Sequence, residues 1–428
     1  LRMYVMKERA LAHEVATAQD IKDMQALLRE ALEAGAAGFS TGRSDNHRTS
    51  EGKDTPAANA SHAELTGLAQ AFQGLRHGVI QMVSDYNLMN GPAEFDAEFD
   101  LLEAVAHTSG KPLSLTWLQR DPGGEQYLKI QDRVEKAAAN GLPLFMQTAA
   151  RGIGVLNGLD ASFHPFMGFP SYKEVAYLPL AERAMALRDP ARKARILSEK
   201  SERLAGDGSA IPPLVDILLS RIDMISGRMF PLEATLNYEP SVMDSFLVRA
   251  KQKGITPLEA LYDHFSADQG EGLVYFPIFN YNEGNLDTVR KMLGHPRALS
   301  GLSDAGAHVG TVCDASFTTF MLTHWVQGRS KDAMPLETAV EMLTSRNAKY
   351  LGLTDRGTIA PGLRADLNAI DPHKLSVGLP QLMRDLPAHG KRFVQRASGY
   401  ASTWVAGQQV QRHGEITNAR PGQLVRMK

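Results

Sequence analysis

The residues Gly301-Leu302-Ser303-Asp304-Ala305-Gly306-Ala307-His308-Val309-Gly310 set a carboxylate and an imidazole four residues apart in a turn of small residues. An apolar run from Pro296 to Leu302 leads into that turn, as the end of a buried strand does. Glycine and alanine let backbone and substrate approach closely, and a strand end holds a carboxylate rigidly. Asp304 in such a place suits general acid–base work beside a metal ion, with His308 as a substrate contact. The plainer alternative is a capped turn, since Asp and Ser often open turns and helices.

Four more residues are candidates for binding substrate. Arg43 and His47 follow Gly38-Phe39-Ser40-Thr41 at the end of an apolar run. An arginine there can hold a substrate carboxylate in two parallel hydrogen bonds. Gln147 closes the run Pro143 to Thr148 and can orient a substrate or stand in for a ligand. His164 lies in Phe163-His164-Pro165-Phe166, where lining a pocket competes with simple aromatic packing. Asp314, just after Cys313, is placed to help hold the turn.

These residues need a scaffold, and the chain supplies one. Strand-like runs begin near Ala36, Gly78, Pro112 and Pro143, each after a helical pattern (Asp20 to Ala34, His62 to Leu75, Ala97 to Thr108, Gln126 to Ala139). Two more, Leu273 to Ile278 and Ala298 to Leu302, flank a helix from Asn285 to Leu293. Continuous apolar strands separated by amphipathic helices predict a parallel sheet covered on both faces. Asp20 and Ser61 are the expected N-caps, the latter with Glu64 three residues on. Six strands fall short of the eight of a closed (β/α)8 TIM-type barrel. The chain also opens at Leu1 as though already inside an element, so the first barrel strands are expected upstream of it. An open doubly wound sheet is the competing fold, but no Gly-x-Gly-x-x-Gly turn follows a strand. The barrel is expected over 1–352 with an insertion at about 152–270, the length of a loop that covers a barrel mouth. A small C-terminal β-sandwich domain is expected over 353–428. It would contain a strand, Pro-Gly turn and strand over Gly357 to Ile370 and a hairpin turning at Gly407.

Composition narrows the partners. The chain has 428 residues, 43% hydrophobic and 22% charged, with a net charge of −2, which is ordinary for a globular protein. No basic stripe points to nucleic acid, and no apolar run is long enough to span a membrane. A single cysteine, Cys313, excludes internal disulfides and a cysteine-rich zinc module, which favours a cytoplasmic setting.

The pattern Gly357-Thr358-Ile359 … Pro361-Gly362 … Ala365-Asp366-Leu367, then Val405, Gly407, Val410 and Gly414-Glu415, resembles the composite β domain of the amidohydrolase superfamily. Glu33 to Gly42 and the Ser303-Asp304 turn resemble its N-acyl-D-amino-acid deacylase (D-aminoacylase-like) branch. The resemblance implies hydrolysis of the amide C–N bond of a small N-acyl amino acid by a zinc-activated water. Asp304 would be a metal ligand, and would accept the water's proton and pass one to the leaving amine. It also implies a homodimer. The branch's His-x-His pair is absent from the chain, so the other metal ligands are expected upstream of Leu1. Thr116, Trp117 and Gln119 at one strand end, and Gln147 and Thr148 at the next, stand where later ligand histidines occur. One zinc ion is therefore expected rather than two. Two alternatives stand. A cyclic amidase or lactonase on the same fold generally uses a bridging carboxylated lysine, and no lysine is placed for it. A catalytically degenerate barrel would serve as a binding or assembly subunit.

Overall fold

The computed structural model describes residues 1–428 except 45–46, 48, 50–51, 87–91, 121–123, 206–210, 212, 304–305 and 428. Among the described residues eight strands precede residue 301: β1 (Gly38–Arg43), β2 (Val79–Ser84), β3 (Leu113–Thr116), β4 (Leu144–Thr148), β5 (Ile153–Asn157), β6 (Phe230–Pro231), β7 (Val274–Phe279) and β8 (Ala298–Ser300). Five of them form one parallel sheet in the order β1-β2-β3-β4-β8. Parallel pairing requires a crossover between neighbours, and the amphipathic helices supply it. The helix Ala18–Glu33 buries Met24, Leu28 and Leu32, one residue per turn on one face. That stripe packs with Leu65, Leu68 and Phe72 into a core that includes Ile80, Met82, Leu113, Leu115, Leu144 and Met146 from the strands.

Helix bounds shift from expectation in several places: Ala97 to Thr108 lies inside the longer helix Pro92–Ser109, His62 to Leu75 is helical to Ala69 with a 3-10 turn over Gln70–Phe72, and Asn285 to Leu293 starts at Asp287. Thr17, not Asp20, is the N-cap of Ala18–Glu33; Asp20 sits at the third helical position and completes a reciprocal capping box. Ser61 caps the helix His62–Ala69 as predicted, accepting from the Glu64 N–H at 3.2 Å.

The run Leu273 to Ile278 is a strand but lies outside the parallel sheet. β7 pairs antiparallel with β5 and with β6 in a separate three-stranded sheet. The neighbouring place on β4 goes to β8, with Met146 opposite Ala298. Pro277 has no N–H to donate, and it faces Gly154 beside a register shift. A Cβ on Gly154 would stand 2.6 Å from the Phe276 carbonyl oxygen, so the approach needs glycine. Among the described residues the parallel sheet is thus an arc of five strands.

Short helices fill most of the stretch between β5 and β7, from Pro170–Lys173 to Pro257–Ser266. Asp189 and Thr256 cap two of them, each followed by proline at the first helical position. They bury Phe166, Tyr172, Leu187, Ile196, Phe246, Tyr262 and Phe265 as a core of their own.

After the helix Ser345–Leu351 the described residues form strands, with one 3-10 turn over Pro387–His389: β9 (Leu367–Ile370), β10 (Ser376–Val377), β11 (Gln381–Leu386), β12 (Gly390–Val394), β13 (Ala397–Ser398), β14 (Tyr400–Val405), β15 (Gln408–Arg412) and β16 (Glu415–Ile416). Four of these make an antiparallel sheet ordered β16-β15-β14-β9, with β11–β12 and β10–β13 as separate pairs. The β14–β15 turn has positive φ at Ala406 and Gly407, as a two-residue hairpin of the right twist requires. Of Gly357 to Ile370 only Leu367–Ile370 is strand. Gly357 and Gly362, at φ 88° and 86°, turn the chain there instead. No helix among the described residues is long and apolar enough to cross a membrane.

Candidate active site

Parallel strands deliver all their carboxyl ends to one edge of the sheet. That edge gathers Arg43 of β1, Ser84 of β2, Thr116 of β3, Thr148 of β4 and Ser300 of β8. The turn after β8 begins on it, because the Gly301 N–H donates to the Thr148 carbonyl at 3.0 Å. Asp304 lies outside the described residues. The residues around it are held in an uncommon geometry: Leu302 and His308 have φ of 57° and 48°, a left-handed conformation that costs a non-glycine residue about 1 kcal/mol or more.

Such strain persists only where surroundings over-determine it, and the segment from Val309 to Thr311 is anchored three ways. Its carbonyls accept from the Phe393 N–H (2.7 Å, to Val309), the Ser162 N–H (2.8 Å, to Gly310) and the Leu156 N–H (2.7 Å, to Thr311). The anchors come from β12, the loop after β5, and β5 itself.

The anchored turn brings His308 opposite His47. Their rings lie 6.3 Å apart, centre to centre, and 22° from parallel, and both residues are exposed. His47 also lines a cavity of about 470 Å³ beside β1, with Thr41, Phe39, Arg2 and Glu64. Burial holds the Glu64 carboxyl above the usual carboxylate range even though Arg2 pairs with it.

Gln147 points within the sheet. Its Nε2 donates to Ser114 Oγ at 3.0 Å, and its Oε1 would stand 3.8 Å from a Cβ on Gly301. It therefore abuts the start of the turn. Arg43 is already engaged: its Nε donates to Glu98 at 2.7 Å and its Nη1 to the Ala60 carbonyl. Glu98 is buried and also accepts from Ser84 Oγ at 2.9 Å. His164 is 3% exposed, between Tyr172 at 4.6 Å and Phe166 and Phe265, with Nδ1 accepting from the Phe166 N–H. Burial pushes its pKa down to about 3, helped by Arg183 and Lys391. The structure thus joins His47 with His308 and Gln147 with Gly301. It sets Arg43 in an internal ion pair and His164 in an aromatic core.

Sequence reasoning gave no role to three groups at this edge, although it named Gln119 as standing in a ligand position. Arg120 donates to Asp85 at 2.8 Å and stacks over Phe279. Gln119 donates to Glu283 at 2.6 Å. Arg151 is buried against Asp314, which makes Asp314 the holding residue its position suggested. Each side chain follows a strand end by a few residues, and that spacing was the signal available.

Among the described residues no three His, Cys, Asp or Glu side chains converge to hold a metal. Structural and catalytic zinc sites take three or more protein ligands. Zinc–nitrogen bonds of about 2 Å at a tetrahedral angle would also draw two ring centres to roughly 5 Å, closer than the 6.3 Å between His47 and His308. The described residues alone do not fit zinc.

Residues 226–411 match the amidohydrolase family. An N-acyl-D-aspartate deacylase of Alcaligenes xylosoxydans xylosoxydans is 35% identical over 98 residues, 23% of this chain and 18% of that protein. The chain thus matches under a fifth of the length of that curated relative. A D-aminoacylase crystal structure, described as defining a novel subset of amidohydrolases, superposes with a TM-score of 0.52 at 18% identity, covering 98% of this chain and 68% of that one. An N-acyl-D-glutamate deacylase from Bordetella bronchiseptica, solved with zinc and a phosphonate inhibitor, gives a TM-score of 0.49 at 20% identity over 97% and 68% of the two chains. The D-aminoacylase match shows that the two chains share a fold.

Proposed function

We propose, taking the chain as an amidohydrolase of the D-aminoacylase-like branch, that it hydrolyses the amide bond of a small N-acyl amino acid. One observation carries this reading. The segment that leaves the carboxyl edge of the parallel sheet at Gly301 lies in the family-matched residues and brings His308 opposite His47. Active sites of parallel α/β folds sit at that edge.

In this reading Asp304 is the general base that takes a proton from the attacking water and then delivers one to the leaving amine. His308 and His47 face each other across the entrance and contact the substrate. Gln147, fixed by Ser114, orients the acyl group near Gly301. One zinc ion, with Asp304 among its ligands, belongs to this proposal. Because the described residues do not complete a zinc site, the steps assigned are those of the side chains alone.

The test is hydrolysis of a panel of N-acetyl-D- and N-acetyl-L-amino acids by wild type and Asp304→Asn, with zinc supplied. Activity in wild type and a loss of about 10²-fold or more in the variant, at unchanged fold, supports the reading. Turnover of hydantoins or lactones but not of acyl amino acids would move the assignment to a cyclic amidase or lactonase. No turnover of any of these would leave a binding subunit.

A further inference from the structure

We infer that Arg151 is a positioning residue: it fixes where the segment from Gly306 to Ser316 presents His308. The inference rests on the proposed active site, but its physical basis is independent of the reaction. Arg151 follows β4 by three residues, yet it is 1% exposed and turns away from solvent into the loop that comes after β8. There its guanidinium meets a single four-residue stretch. Nη2 donates to the Asp314 carboxylate at 2.6 Å and to the Cys313 carbonyl at 3.2 Å, and Nη1 reaches Ser316 Oγ at 3.4 Å. Three aromatic rings enclose the cation: Tyr238 at 3.5 Å, Phe317 at 4.8 Å and Phe320 at 5.5 Å.

The backbone that carries Arg151 is pinned on both sides. The Ala150 carbonyl accepts from Trp325 Nε1 at 2.7 Å, and the Gly152 carbonyl from the Tyr275 hydroxyl at 2.8 Å. On the far side, Ser316 donates to Gln395, whose Nε2 donates to the Tyr238 hydroxyl at 2.9 Å. The loop after β8 is therefore fixed at its start by β4 through Thr148 and at its end by Arg151, which follows the same strand. A planar fork with several fixed donors can hold a carboxylate and a carbonyl together; a lysine ammonium is a point charge on a flexible stem. Misplacing a reacting group by about 1 Å from a distance can cost on the order of 10²-fold in rate.

The experiment compares wild type, Arg151→Lys, Asp314→Ala and Asp314→Asn by steady-state hydrolysis of N-acetyl-D-amino acids and by hydrogen exchange. For R151K, kcat should fall at least about tenfold with KM changed less than about threefold. Exchange should rise at least about tenfold in peptides covering 306–316 and stay unchanged in the parallel sheet. If R151K does not fold, D314A carries the same expectation, and D314N, which keeps an acceptor for the guanidinium, should recover most of kcat. Wild-type kcat in R151K overturns the inference. So does exchange that rises evenly along the chain, which marks a purely structural role. If the wild type hydrolyses no acyl amino acid, the functional reading fails and the exchange alone decides: a selective rise at 306–316 supports Arg151 as the positioning residue, and no rise overturns it.

Discussion

Protonating His164 should loosen the helical stretch between β5 and β7, and the size of the effect can be worked out. Its imidazole is buried between Tyr172, Phe166 and Phe265, and its pKa falls to about 3. Exposed in an opened chain it titrates near 6.5. Between these values the opened form binds a proton that the closed form refuses, so stability rises with pH and is lost as pH falls below about 6.5. From pH 7 to pH 5 the linkage amounts to about 2 kcal/mol, or about a 25-fold larger opening constant. Hydrogen exchange of peptides covering 159–176, corrected for the intrinsic pH dependence of exchange, reads that constant directly. His264, half-buried against Phe246 and Phe265 and also lowered, opens with the same core, so the measured quantity is the difference from His164→Asn. Asparagine keeps an acceptor for the Phe166 N–H and does not titrate. If wild type and H164N show the same pH dependence, the burial argument is wrong and His164 is open to solvent, as a pocket-lining residue would be.

Other perturbations have clear outcomes. Arg43→Met should lower stability by about 2–3 kcal/mol in urea denaturation, because Glu98 is left buried without its cation; adding Glu98→Gln should restore part of the loss. Cys313 should resist a thiol reagent in the folded protein and react once on denaturation, since burial, with Asp314 close by, pushes its thiol up to about 11. Gly38→Ala should abolish soluble expression or cost more than about 3 kcal/mol, as the new Cβ would stand 1.9 Å from the Val79 carbonyl oxygen and push β1 off β2.

Where local pattern and packing agreed, the sequence was readable. Gln126–Ala139 has the extent its periodicity predicts, and all five parallel strands begin within two residues of their apolar runs. β7 was legible as a strand but not by partner, because apolar content does not say which edge a strand will find. The site was less legible. Arg43 and His164 have side chains suited to binding, but only tertiary contacts show that one is bound to Glu98 and the other walled in by aromatic rings. Arg151 carried no motif. Its place three residues past β4 was the available signal, and the carboxylate it holds, Asp314, lies 163 positions away.

The β4–β8 pairing also bears on how the protein folds. Met146 and Ala298 are neighbours in the sheet although about 150 residues separate them in the chain. During synthesis β1 to β4 can pair as they emerge, but the fifth place stays empty until the whole intervening stretch has been made. Closing so long a loop is slow in a disordered chain. That stretch has its own buried cluster, from Leu159 to Phe276, which lets it collapse first and bring its two ends together. The order of events this imposes leaves the free edge of β4 exposed for a time, and an unpaired edge is where a nascent chain pairs with its neighbours. Aggregation on rapid expression, relieved by slower synthesis, is the behaviour such a topology produces.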